Sequence, residues 1–179
     1  MDRMSASAHE QGVTLMELLV VMLIASLALV TAVPLMREVV HRVQVNVESL
    51  RLLSAINLAR TEAVLRSAPV TLCPSQLVAG GAPSCAGRYA DGWIIQARTG
   101  ARETLHAFGG VPRGFSVRNS ADTRDANRAI NFLPDGTSRS NQTLRVCPPL
   151  GSEVSSLAVV VNIVGRARLE ERGGPCFGA

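Results

Sequence analysis

The chain has no lysine: each of its 18 Lys+Arg residues is Arg. Genomic base composition accounts for such a bias as readily as selection for phosphate contacts, so the net charge of +4 does not by itself identify a nucleic-acid binder. Aromatic residues make up only 3%, so a core must rest on Val, Leu, Ile and Ala. The three histidines, His9, His41 and His106, have no nearby Ser or Cys with a triad signature, and His41 reads as a solvated helix residue. The glycine pairs Gly80-Gly81 and Gly109-Gly110 lack the Lys and the following helix of a phosphate loop. Asp91, Asp122 and Asp125 do not match a calcium loop. These absences argue against an enzyme, a bound metal and a cofactor. A further absence is local: no charged residue occurs from Leu18 to Met36.

That uncharged run is what is most clearly present. As a helix at about 1.5 Å per residue it spans roughly 28 Å, close to the hydrocarbon thickness of a bilayer. Residues 13–36 therefore read as a single membrane-spanning segment. Glu17 stands at its mouth. A carboxylate at the centre of a membrane helix costs about 2.5–3.5 kcal/mol on insertion scales and less near an interface, so a partner is expected. If the chain is cut after Gly12, Val13 gains an ammonium group four residues from Glu17, on the same helical face. The two could neutralise each other within one subunit or between two. A secretory signal peptide cut near Ala28 or Ala32 would instead place Glu17 inside its apolar region. Arg37, Arg42 and Arg51 flank the far side of the run, so the positive-inside rule gives little help with orientation.

Residues 1–12 form a polar leader, and residues 37–68 continue the helix in amphipathic form. One row at 3–4 spacing runs Val39, Val43, Val47, Leu50, Leu53 and Asn57; a second runs Leu52, Ile56, Ala59, Ala63. Pro34 should bend the helix and Pro69 should end it. Residues 69–179 read as a β domain of about 110 residues, enough for one small core. Strand-like segments are Val70–Cys73, Asp91–Ile95, Glu103–Phe108, Phe115–Val117, Ala129–Phe132, Thr143–Cys147 and Leu157–Val164, separated by turn residues. The fold class is α+β: a long N-terminal helix packed on an antiparallel β domain. Trp93 reads as a core anchor.

Cys73, Cys85, Cys147 and Cys176 all lie beyond the membrane segment. An even count on the exported side reads as two disulfides in an oxidising compartment, and the spacings do not fit zinc pairs. Three connectivities are open. The pairing adopted is Cys73–Cys85, which closes a local loop, with Cys147–Cys176, which ties the tail to a strand.

A polar leader ending in Gly12, then Val13-Thr14-Leu15-Met16-Glu17-Leu18 and an apolar helix, resembles the prepilin signal of type IV pilins and type II secretion pseudopilins. Farther along come Leu58–Ala63, Val70–Ser75, Gly92-Trp93, Ile130–Phe132 before Asp135-Gly136, Cys147, Val164–Arg168 and Cys176. With these the resemblance narrows to the GspH/FimT/FimU minor pilins and pseudopilins and covers nearly the whole chain. It implies cleavage by a prepilin peptidase between Gly12 and Val13 and methylation of the Val13 amine. Glu17 and Pro34 would serve assembly with other pilins or pseudopilins. The β domain would face the periplasm from the inner membrane, or sit at a filament tip. Val13 departs from the Phe usual in the family.

Gly165-Arg166-Ala167-Arg168, with Arg172 beyond, is the second candidate site. On a strand Arg166 and Arg168 stand on one face, where two guanidiniums can grip successive phosphates. In FimT-like pilins of transformable bacteria a Gly-Arg-x-Arg segment binds DNA, and this stretch matches it. Glu170 and Glu171 lower the local potential, and a solvated strand end is the plainer reading. Arg139 and Arg145 are candidates to extend the patch.

Overall fold

The computed structural model describes residues 13–76, 83–99, 101–119, 126–171 and Cys176. Helix α1 (Leu15–Leu65) precedes strands β1 (Val70–Pro74), β2 (Gly92–Thr99), β3 (Ala101–Gly109), β4 (Ser116–Asn119), β5 (Ile130–Phe132), β6 (Gln142–Cys147), β7 (Leu157–Val161) and β8 (Ala167–Glu170). The leader lies outside the described residues. The chain divides after Arg37 into two units.

In the first unit, every described side chain from Leu15 to Met36 is exposed, including Leu15, Leu19, Leu23 and Leu27. So large a bare apolar surface needs a non-aqueous surrounding or a partner. The helix is long and apolar enough to cross a membrane. The helix continues past Pro34, which supplies no N–H of its own and whose side chain is not among those described.

In the second unit, the second apolar row of α1 packs along its whole length, and the first only at its end, through Leu53. Leu52, Ile56, Ala59 and Ala63 are fully buried, whereas Val39, Val43, Val47 and Leu50 remain about half exposed. Ala55, Ala59 and Ala63 keep the buried face thin, so two sheets can close on it. One has the order β3-β2-β1-β5 and the other β4-β6-β7-β8, antiparallel throughout. Alternation aims Val70, Leu72, Ile95, Ile130 and Phe132 inward from the first, and Val117, Leu144, Val146, Val159 and Val161 from the second. Each such burial contributes about 1.5–3 kcal/mol.

The scarce aromatics sit where they fill most volume. Trp93, Tyr89 and Phe132 are fully buried. Trp93 stacks on Phe108 at 6.0 Å, and the Arg51 guanidinium lies 4.6 Å from its ring centre. Arg51 also donates to the Gly109 and Gly110 carbonyls and bridges buried Glu48 at 2.9 Å. The Tyr89 hydroxyl lies 3.2 Å from the carbonyls of Leu72 and Arg128, and burial pushes its pKa well above the usual value.

Three expectations change. The helix stops at Leu65, ahead of Pro69, because Ser67 turns left-handed (φ 48°) and Ala68 N–H reaches back to the Ala63 carbonyl at 3.2 Å. The last apolar strand stops at Val161, and Ile163 and Val164 lie exposed in a turn before β8. His41 is half-buried rather than solvated: it meets Ser152 Oγ at 3.3 Å and the edge of Phe115.

Candidate functional site

The start of α1 is one candidate surface. Thr14 Oγ1 accepts from the Glu17 N–H at 3.3 Å, an N-cap that begins the helix at Leu15, three residues before the uncharged run. Val13 is 69% exposed, so cleavage before it would free an accessible amine; Gly12 lies outside the described residues. Glu17 is exposed in the first turn, and among the described residues no hydrogen bond or ion pair reaches its carboxylate. Leu15, Met16 and Leu18 surround it with apolar surface.

The β7–β8 hairpin is the other. Its turn is built by Asn162 and Gly165: Asn162 Oδ1 accepts from Arg166 N–H at 2.8 Å, and the Asn162 carbonyl accepts from Gly165 N–H at 2.9 Å. Gly165 has φ +78°, and a Cβ built on it would collide with the Gly136 carbonyl oxygen. Arg166 and Arg168 are both exposed, while Ala167 and Leu169 between and beyond them are half-buried, so the two arginines share a face. Arg168 is tied to Glu170 at 2.6 Å, which offsets part of its charge.

A cleft of about 340 Å3 opens beside them, lined by Asn57, Arg60, Asn162, Arg166, Ala167 and Arg168. Arg60 was not singled out as a partner of this patch; its Nε donates to the Gly136 carbonyl at 3.0 Å, which holds it at the hairpin. No local motif marks such a residue, because Arg60 and Arg166 meet only when the helix packs on the sheets. Arg139 and Arg145 do not line the cleft, and Arg172 lies outside the described residues. Three guanidiniums and two amides there can hold an anion by charge-assisted hydrogen bonds.

Cys73 is bonded to Cys85, with Cα atoms 5.4 Å apart, and Cys147 to Cys176, 5.7 Å apart. The second bond joins Cys176 to Cys147, the last residue of β6. At the end of α1, a hydrogen bond from Arg66 holds the Glu62 carboxyl below its usual 4.5, against a smaller effect of burial, and His106 of β3 stands 3.6 Å away. Arg88 holds Asp91 low in the same way.

A long helix that begins with a bare apolar stretch carrying one acid, and continues as the spine of two antiparallel sheets, defines a pilin-like subunit. The chain belongs to the family of the type II transport protein GspH, whose model matches residues 48–165. The prokaryotic N-terminal methylation motif matches residues 7–33. The fold is similar to the crystal structure of the type IV minor pilin FimU of Pseudomonas aeruginosa, at 18% identity over 72% of this chain and 90% of that one, with a TM-score of 0.55. It is also similar to the minor pseudopilin EpsH of the type 2 secretion system of Vibrio cholerae, at 12% identity over 72% of this chain and 97% of that one, with a TM-score of 0.54. A comparison with curated proteins finds no match.

Proposed function

We propose that the chain is a minor subunit of a type IV pilus or a type II secretion pseudopilus. A prepilin peptidase cuts between Gly12 and Val13, and the new amine is methylated. Residues 13–36 hold the protein in the inner membrane as a single pass, with the sheet domain in the periplasm. The subunit then enters a filament, near its tip, through its helix. The carrying observation is the stretch from Leu15 to Met36, apolar and exposed at every described side chain, with Glu17 as its one charged residue. A lone carboxylate at the edge of hydrocarbon is stabilised by a countercharge, and the freed Val13 amine supplies one, in the same subunit or a neighbour. In the second unit, the half-exposed row Val39, Val43, Val47 and Leu50 is a further apolar surface available to neighbouring helices.

The test compares wild type with Glu17→Ala and Glu17→Val in cells that make the filament. Both variants should reach the membrane in normal amount and fail to co-purify with the other pilins or pseudopilins. Mass spectrometry of the membrane form should find residues 1–12 gone and one methyl group on Val13. Normal incorporation of the Glu17 variants would sink the reading. Co-purification with a major pilin rather than a secretin system separates pilus from pseudopilus.

The cleft bounded by Arg60, Arg166 and Arg168 favours a second reading, that the subunit binds DNA at a filament tip for natural transformation. Duplex DNA should bind the chain in a salt-dependent way. An Arg166→Ala/Arg168→Ala double change should lower the slope of log K against log salt by about 2. Unchanged binding would remove this reading and leave the first intact.

A further inference from the structure

The outward face of the first sheet carries a polar row that neither reading uses. Register places Asn131 of β5 beside Thr71 of β1, Thr71 beside Gln96 of β2, and Gln96 beside Thr104 of β3. The row is internally bonded. Thr71 Oγ1 donates to Asn131 Oδ1 at 2.8 Å, and Gln96 Nε2 donates to Thr104 Oγ1 at 3.2 Å. Gln96 is 7% exposed, pressed under the segment that Cys85 pins to β1, with Cys85 Sγ 3.2 Å from its Oε1.

Two residues farther along the same face, Arg98 of β2 stands directly across from Arg102 of β3. Like charges directly opposite on paired strands repel. Among the described residues no acid offsets them. The neighbouring Glu103 pairs across from Ala97, on the other face, where it approaches Arg66 at 3.7 Å. Both arginines are exposed, and their guanidiniums make no hydrogen bond or ion pair among the described residues. A recess of about 210 Å3 lies between them and the polar row, lined by Thr71, Cys85, Gln96, Arg98, Arg102 and Asn131, with Ala129.

The charged groups left over in this recess are donors, and the one free acceptor among the described residues, Gln96 Oε1, faces the Cys85 disulfide sulfur at 3.2 Å. The Thr71 proton goes to Asn131 Oδ1, and the Gln96 amide protons go to Thr104 Oγ1 and to the Pro83 carbonyl. What remains is the Asn131 Nδ2 amide and two guanidinium forks, each with several N–H groups and no acceptor. A ligand that only accepts and carries negative charge satisfies all three and removes the Arg98–Arg102 repulsion. We propose that the recess is a binding site for one oxyanion group, a carboxylate or a phosphate, held by Arg98, Arg102 and Asn131. Arg102 lies on β3, the edge strand, so the group can arrive as a free ion or at the end of a larger molecule.

The experiment uses the whole chain in detergent micelles, labelled with nitrogen-15 and free of phosphate. Sodium phosphate, sodium acetate and sodium chloride are titrated separately at matched ionic strength while the arginine Nε–Hε resonances are followed. Saturable movement of the Arg98 and Arg102 signals by phosphate, acetate or both, and not by chloride, is the result expected. Phosphate alone names a phosphate site, acetate alone a carboxylate site, and both an oxyanion site of either kind. Arg98→Gln and Arg102→Gln should each weaken binding about tenfold or more, as loss of a hydrogen-bonded charge does. A second readout needs no variant: the bound anion should raise the wild-type Tm above that in matched chloride. Equal response to all three salts, no saturable response, or unchanged affinity in both Gln variants would overturn the proposal.

Discussion

Gly165→Ala tests the packing that joins helix, sheets and hairpin. The added methyl would meet the carbonyl oxygen of Gly136, which is not free to move: it accepts from Arg60 Nε at 3.0 Å, and Gly136 N–H donates to the Leu133 carbonyl at 2.8 Å. Two costs add. Holding a non-glycine residue left-handed at φ +78° costs about 1–2 kcal/mol. Forcing a methyl into filled space costs about 1–3 kcal/mol more. A middle value of roughly 3 kcal/mol lowers Tm by roughly 6–12 °C in a chain of this size. The assay is thermal unfolding followed by fluorescence of the single Trp, Trp93, which is fully buried and loses its Phe108 and Arg51 contacts on unfolding. Gly151→Ala is the control. It shares the left-handed backbone (φ +83°), but its Cβ meets nothing within 4 Å, so only the conformational cost applies. A Gly165→Ala melt no lower than that of Gly151→Ala would refute the packing argument.

Losing either disulfide should destabilise the sheet domain. Loop-entropy arithmetic gives about 2.8 kcal/mol for Cys73→Ser/Cys85→Ser and about 3.6 kcal/mol for Cys147→Ser/Cys176→Ser, the latter closing the longer loop. Denaturant midpoints should rank the two pairs in that order. Arg51→Ala strands Glu48 without its charge partner and should cost about 3 kcal/mol, with a smaller loss when Glu48→Gln is already present. A double-mutant cycle on Tm checks this. For pH, burial raises Glu48 above 4.5 and outweighs the attraction of Arg51, so its contribution is complete below 4.5 and fades as pH rises through the folded value. Glu48→Gln should therefore gain on wild type as pH climbs through that window. Glu62 has the opposite sign: its lowered pKa adds stability above 4.5 that is lost as pH falls through the folded value. Glu62→Gln should lose most at neutral pH and converge with wild type in acid, again read from Tm.

Much of the fold could be read from short windows. The long apolar helix needs only composition, and the family resemblance at Gly12, Val13 and Glu17 needs only order along the chain. Strands β1, β3 and β6 follow from apolar or β-branched runs between turn residues. The hairpin was harder, because Val159 to Val164 is apolar with one interruption, and hydrophobicity does not mark a turn within such a run. Asn162 and Gly165 were the available signal: one caps the turn with its side chain, the other accepts a left-handed backbone. His41 was misread because a polar residue on a helix looks solvated until the segment carrying Phe115 and Ser152 folds against it.

Sequence alone determined the bilayer-length helix, its single acid and the approximate places of β1 to β7, since each depends on neighbours a few residues away, whereas β8 was not among the strand segments it marked. Tertiary structure decided which row of α1 is buried, since Leu52 and Val43 are equally apolar and only contact with two sheets distinguishes them. It also chose among the three cysteine connectivities by bringing Cys147 and Cys176 within 5.7 Å. It placed Arg60 at the hairpin and Arg98 opposite Arg102. Those meetings depend on packing and strand register, which are set by the fit of the whole core and not by any local pattern.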